Sequence, residues 1–452
     1  RFVFASAAQG QPHKLHPSVN TVQRKRGMYM TASLSAFKKH LTGDPMRTVM
    51  AALNLSLFMT AFLLESPEKV LAGFWTIQLA PCGLITDYMA LAGPGAAFFN
   101  AGCVMLVGFL LTLVLRLRYT GGTVASLSLM AGFALFGKNA LNILPILAGV
   151  WLYARYQREK MSRYIYIALF GTCLGPVVSE FAVYAPLPLP LRLIGAVGAG
   201  LFIGFILPPI ASYTLRIHQG YNLYNIGFAA GIVGLMVMSL SKSIGYAPNT
   251  LLLWATGYNV PMAIYLTVVF GAMLAVGFLC NGHKLRGLWR ITRHSGRSVA
   301  DFVAMDGFAV TLMNMGLVGL FSTAYMLAIG GDLNGPTLGG IFTVMGFGAF
   351  GKHLKNITPV MLGVVLGSFF KVWTMTTPSV QIAALFCTAL APIAGEYGFI
   401  WGLAAGLIHS SVVLCVGALH GGLNLYNNGF SAGLVCIILI PLIEVFQKEK
   451  GI

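Results

Sequence analysis

His218–Gly231 reads HQGYNLYNIGFAAG, and His420–Gly433 reads HGGLNLYNNGFSAG. The strings share His, Asn, Tyr and Phe as well as Gly at matched places, which common hydrophobicity cannot produce, so they mark an internal duplication. The match extends upstream. At an offset of 214 residues, Leu71–Gly149 aligns without a gap against Leu285–Gly363. Asp87 meets Asp301, FFNAG (98–102) meets LMNMG (312–316), and the frame GFxxFGKxxxNIxPxxxG begins at both 132 and 346. At an offset of 216, TCLGPVVSEF (172–181) faces TALAPIAGEY (388–397). Extra residues after Glu180, including PLPLPLR (186–192), read as a loop insertion in the first copy.

Of 452 residues, 57% are hydrophobic and 9% charged, far below the roughly one-quarter charged of soluble domains. The chain is a membrane protein by composition, and its 54 Gly fit close helix packing in lipid. The formal charge of +17 comes from short basic clusters between apolar runs, a pattern of cytoplasmic anchoring and not of nucleic-acid binding. Seven scattered Cys, with no CxxC, read as small apolar residues. Residues 1–27 carry five basic residues and no acid, and read either as a transit-like leader or as sequence ahead of a start at Met28 or Met30; without them the charge is still +12.

Windows of about 20 apolar residues predict five crossings per half: near 48–64, 95–115, 164–184, 194–215 and 223–241, then near 259–281, 307–329, 378–395, 398–418 and 424–446. The expected fold class is an all-α polytopic membrane protein of two inverted repeats. A tail at 1–46 leads into the first repeat (47–244), an extracytoplasmic linker (245–258), the second repeat (259–447) and a tail at 448–452. Residues 66–90 form a surface segment. An odd number of crossings turns the second copy over, and charge agrees. Arg116, Arg118, Arg155, Arg158, Lys160 and Arg163 face neutral equivalents in IGGDLNG (329–335) and KVWTMTTPS (371–379), whereas LAGFWTIQLAPCG (71–83) faces the basic LRGLWRITRHSGR (285–297). Lys and Arg gather in the cytoplasm, so both termini are expected there, with Arg192, Lys242 and Lys371 as minor misfits.

Two apolar arms flank each FGK turn, 122–136 and 142–154 in the first half, and are too short to span. They predict a re-entrant hairpin in each half, with Gly137-Lys138-Asn139 and Gly351-Lys352-His353 at the tips; two short full spans would keep the same parity.

Four ionisable pairs recur at matched positions: Asp87 with Asp301, Lys138 with Lys352, Glu180 with Glu396, His218 with His420. Intramembrane charges face an interior path or one another. Lys138 and Lys352 are therefore either pathway residues favouring an anion or a carbonyl, or structural partners of Glu180 and Glu396. Both Glu and both His are also candidates for ion coupling, and the two Asp read as helix caps or anchors. Asn142 and Asn356, with Pro145 and Pro359 three residues on, follow the tips, while Asn222, Tyr224, Asn225, Asn424, Tyr426 and Asn427 open the last span of each half. Amides offer a donor and an acceptor to a polar solute, although Asn at a helix start also serves as a cap. Gly227, Gly231, Gly429 and Gly433 make GxxxG faces suited to close packing.

The strings LITDYMALAGPGAAFFNAG, FGKNALNILPI and LYNNGFSAG resemble those of a bacterial family of integral membrane proteins known only as a domain of unknown function (DUF1576). The resemblance covers nearly all of the chain after residue 45 and implies a multi-pass protein of the inner membrane. More distantly, the order of features is similar to urea transporters, whose two inverted halves bury a polar pore. KNALNILP stands in for their NPLxG motif, and the Lys beside Asn departs from it.

These features point to a channel or secondary transporter for a small polar or anionic solute, working in the bilayer and able to form a homo-oligomer, with no cofactor or metal. A structural or assembly subunit is the second reading. An intramembrane enzyme is the third, weakened by the lack of HExxH, GxSxG or a carboxylate cluster.

Overall fold

The computed structural model describes residues 43–246 and 251–449. The expectations for residues 1–27, for residues 247–250 of the linker and for the ends of both tails lie outside the described residues. By proximity the chain groups into Arg1–Thr48, of which only the opening of the first helix is described, and Val49–Ile452, which holds everything below.

The described chain is helical, with isolated bridges at Thr86–Leu253 and Asp87–Phe136 as its β pairings. The first half runs through α1 (Pro45–Leu64), α2 (Pro67–Leu79), α3 (Tyr88–Ala92), α4 (Pro94–Val114), α5 (Gly121–Phe133), α6 (Leu144–Tyr156), α7 (Ile165–Tyr184), α8 (Leu189–Ile217) and α9 (Asn225–Ser243). The second repeats the order: α10 (Asn259–Cys280), α11 (Leu288–Ile291), α12 (Phe302–Asp306), α13 (Phe308–Ala328), α14 (Gly335–Phe347), α15 (Leu354–Ser368), α16 (Pro378–Tyr397), α17 (Phe399–Leu419) and α18 (Asn427–Gln447). Ten of these helices are long and apolar enough to cross a bilayer, as expected of a polytopic membrane protein.

Two local readings change. Half of the supposed PLPLPLR loop is helix, because Pro188 stands just before α8 and Pro190 lies in its first turn, where no amide hydrogen is needed. The surface segment forms a long helix in one copy only. Its α2 lies along α4, with Gly73 against Ala92 and Ala96, whereas the basic duplicate keeps a single turn, α11, that starts after Gly287.

Each FGK frame stops a helix in the same way. Gly137 and Gly351 take positive φ, +80° and +99°, a backbone that glycine adopts without steric cost. The amide of the following Lys then reaches back five residues, Lys138 to Phe133 O at 3.0 Å and Lys352 to Phe347 O at 2.9 Å, closing the helix as a Schellman turn. The arms do not pair as hairpins. Instead α5 packs on α14 and α4, while α6 packs on α8. The approach to each interrupted segment nevertheless meets the opening turn of the helix that follows it: the Tyr166 hydroxyl of α7 lies 2.9 Å from Thr120 Oγ1, and Asp332 N donates to Gln381 Oε1 of α16 at 2.9 Å. In the contact between duplicates, Gly132 near the end of α5 faces Gly339 near the start of α14, and Gly346 faces Ser128. The two helices are therefore antiparallel.

Candidate functional site

The FGK turns are fastened by amides buried in apolar helices. Asn100 Nδ2 donates to Ala134 O at 2.7 Å and to Lys138 O at 2.9 Å, and Asn314 does the same to Gly348 O and Lys352 O at 2.7 and 2.8 Å. Asn142 and Asn356 donate to Gly137 O and Gly351 O at 3.1 and 2.8 Å. Asn139 Oδ1 accepts from the amides of Leu141 and Asn142, and His353 Nδ1 accepts from that of Asn356. These side chains therefore complete the backbone of the break, where an unmet buried carbonyl would cost about 1–3 kcal/mol.

The repeated NLYN strings use their polar groups in the same closed manner. His218 Nδ1 accepts the Asn222 amide at 3.4 Å, so Nε2 is the protonated nitrogen and donates to Asn225 Oδ1 at 2.9 Å. His420, Asn424 and Asn427 repeat both bonds at the same lengths. Asn222 Nδ2 crosses to Gly429 O at 2.9 Å, and Asn424 Nδ2 crosses to Gly227 O at 3.3 Å.

Cross-bonds of this kind recur. In TCLGP and TALAP a 3-10 turn precedes the proline, so the carbonyls of Cys173 and Ala389 lose the amide three residues on. Leu425 N and Leu223 N, each from the opposite half, fill those places at 3.1 and 3.0 Å. Asp301 caps its own α12 and also accepts Gly121 N of α5 at 2.9 Å. Asp87 caps α3 and accepts the amide of Gly335, the first residue of α14. Gly227 and Gly429 touch where α9 and α18 cross, since a Cβ built on Gly227 would lie 3.0 Å from Gly429 Cα.

Lys138 and Lys352 are completely buried. Lys138 Nζ bonds Tyr426 OH at 2.8 Å; Lys352 Nζ bonds Tyr224 OH, and Thr388 Oγ1 at 2.7 Å. Each ammonium also lies over the ring of its Tyr, 4.8 and 4.5 Å from the centroid, a favourable cation–π placement. Pairing with the glutamates is not what holds them. Glu180 is buried and accepts from Tyr246 OH at 2.6 Å, while Glu396 is exposed. Burial first, then that bond, holds the Tyr246 phenol above its ordinary range, so it remains the donor.

A cavity of about 450 Å³ opens beside the two tyrosines. Its walls are aromatic and apolar, with Leu129, Phe133, Phe347 and Phe386 around Tyr224 and Tyr426, and its mouth lies among Thr120, Tyr166, Leu215, Ser298, Val299 and Asp301. Of the residues singled out from sequence, Tyr224, Tyr426, Asn225, Asp301, Gly227 and Gly429 line it. The lysines lie behind the tyrosines, and Asn139, Asn142, Asn222, Asn356, His353 and Asn424 stay in the backbone clasps. The aromatic wall, with Asn100, Asn314 and Thr388, was not singled out beforehand. Asn100 and Asn314 had a signal, an amide repeated at one place in two apolar spans.

A second cavity, of about 130 Å³, is lined by Leu84, Ile85, Ser379, Ile382, Gly417 and Asn427 among others, and shares Asn428 with the first. At the offsets of the duplication, Leu84 and Ile85 correspond to Ser298 and Val299, Ile382 to Tyr166, Gly417 to Leu215, and Asn427 to Asn225. It is the same opening built from the other copy. The two mouths differ in one respect. Val299 is 75% exposed and Ile85 only 8%, because residues 251–255 cover the latter: Leu253 N donates to Ile85 O at 2.9 Å and Ala255 N to Asp87 Oδ2 at 2.9 Å.

Among the described residues, no three His, Cys, Asp or Glu gather as metal ligands. The family described as "Protein of unknown function (DUF1576)" matches residues 66–243 and 280–445, and the chain belongs to it. No curated protein and no solved structure matches the chain.

Proposed function

We propose that this member of the DUF1576 family is a transport protein, a channel or secondary carrier, whose solute passes between two oppositely oriented repeats beside Tyr224 and Tyr426. The observation that carries this reading is the pair of cavities built from equivalent residues of the two copies and parted near Asn428. Antiparallel packing of α5 on α14 supports inversion, and so does the count of five long apolar helices in each half. Arms of 13 residues, about 20 Å of helix, stop short of a hydrocarbon core about 30 Å thick. Since the approach to each interrupted segment lies beside the start of the helix that follows it, the segments are read as re-entrant, with broken backbone at depth where it borders a wet path.

Charge assigns the sides. Gly121 bonds Asp301 and Gly220 bonds Ser298, which gathers Arg118 and Arg297 at the mouth of the larger cavity. The smaller cavity lies by Ile85, close to the neutral linker. Positive-inside placement makes the larger mouth cytoplasmic, with both termini on that side of a bacterial inner membrane. The test is uptake into proteoliposomes of small amides, amines and organic anions. Lys138→Ala and Lys352→Ala are each expected to abolish uptake while the protein stays folded, and normal uptake in both removes the proposed pathway.

A further inference from the structure

The reading of the cavity as a pathway leaves its solute undefined, and its own surfaces narrow the choice. Its volume of about 450 Å³ lies in the range of about 300–1,000 Å³ of small-molecule sites. Its walls are mainly phenyl and aliphatic groups, so the body of an occupant is apolar. The polar groups are few and are set behind one another. Tyr224 and Tyr426 are 6% and 4% exposed, and the phenol oxygen of each is bonded to a lysine Nζ.

An ammonium is a donor only, so each phenol oxygen accepts, and its own hydrogen needs a separate acceptor. Tyr224 also bonds Thr388, whose own hydrogen goes to Leu385 O at 2.6 Å, whereas among the described residues no acceptor is found for the hydroxyl hydrogen of Tyr426. The charge is incomplete as well. Two ammonium groups lie fully buried, and the ion pairs among the described residues, Arg163–Glu159, Arg290–Asp306 and His294–Asp306, all lie elsewhere. Buried charge without a countercharge is costly.

Resting on the pathway reading, we propose that the cavity binds an organic monoanion with a compact apolar body, whose carboxylate accepts the Tyr426 hydroxyl and supplies the countercharge to Lys138 and Lys352. A carboxylate offers that phenol an acceptor, and the aromatic wall receives the rest. An amine would set a donor and a positive charge against groups that already carry both. A neutral amide would satisfy the hydroxyl but not the charge.

The experiment uses the full chain in detergent and three probes of one shape: phenylacetate, phenylacetamide and phenethylamine. Calorimetric titration is expected to show phenylacetate binding at least tenfold tighter than the amide, with no binding of the amine. Tyr426→Phe should weaken phenylacetate at least tenfold without shifting the melting midpoint of the empty protein by more than a few degrees. Equal or tighter binding of the amide or the amine overturns the assignment. So does binding of none of the three, or unchanged affinity in the folded Phe variant. Uptake into proteoliposomes separates this claim from the one beneath it. Phenylacetate bound but never carried sinks transport and leaves the anion site standing; amide or amine carried in its place does the reverse.

Discussion

Lys138, from one half of the chain, ends 2.8 Å from the hydroxyl of Tyr426, from the other, and Lys352 meets Tyr224 in the same way. Each lysine reaches a tyrosine of the other half, and Lys352 also bonds Thr388 of its own. A hydrogen bond to a charged group contributes about 1.5–3 kcal/mol, so Lys138→Met and Tyr426→Phe are expected to be coupled. A double-mutant cycle on unfolding in detergent should return about 0.5–3 kcal/mol, and strict additivity would show that the contact contributes nothing.

Asn100→Leu and Asn314→Leu each strip donors from two carbonyls at a helix break. Each is expected to lower stability by about 1–3 kcal/mol, read as an earlier thermal midpoint. An unmoved midpoint in both would mean that the turns are held by Asn142 and Asn356 alone.

The crossing of α9 and α18 leaves no room for a side chain. Gly227→Ala puts a Cβ 2.9 Å from Tyr426 Cβ, and overpacking of this kind costs about 1–3 kcal/mol. Gly271→Ala, on α10 with nothing within 4 Å of the new methyl, is the control and should be neutral or stabilising. Equal effects of the two would refute the close contact.

Inversion is tested by labelling cysteines from each side of sealed vesicles, in a background with the exposed Cys280 and Cys415 replaced. Arg116→Cys and Asp332→Cys are expected to react from opposite sides. Labelling of both from one side would remove the inverted arrangement.

Val299→Cys should react readily and Ile85→Cys slowly, given their exposures of 75% and 8%. Cutting the cover by replacing Leu251–Ala255 with a Gly-Ser stretch is expected to raise the rate at residue 85 toward that at 299. No change would mean that something other than the linker closes that mouth.

The ten spans were legible because hydropathy over about 20 residues is a strong signal, and the FGK turns because Gly and Pro punctuate both copies alike. Partnership across the halves was not. The pattern that identified Lys138 could not say whether Glu180 or a residue 288 positions away would meet it, since side chains far apart in sequence leave no periodic trace. Nor did the sequence say that Asn222 and Asn225 would be used up within the fold. An amide motif reads the same whether its partner is a solute or a backbone carbonyl. The cavity wall was hidden for the opposite reason: Phe133 and Phe347 look like any other apolar residues until the chain places them around the tyrosines.

The crossed bonds carry one more meaning. Lysine to tyrosine, aspartate to helix start and loop amide to proline-freed carbonyl are each made twice, with the halves exchanging roles, which is how a patch meets itself in a twofold homodimer. Two separate chains of half this length could satisfy the same set of bonds. A dimer of identical subunits would have two equivalent doors, but here residues 251–255, which join the halves, cover one of them, so this chain has two unequal ones.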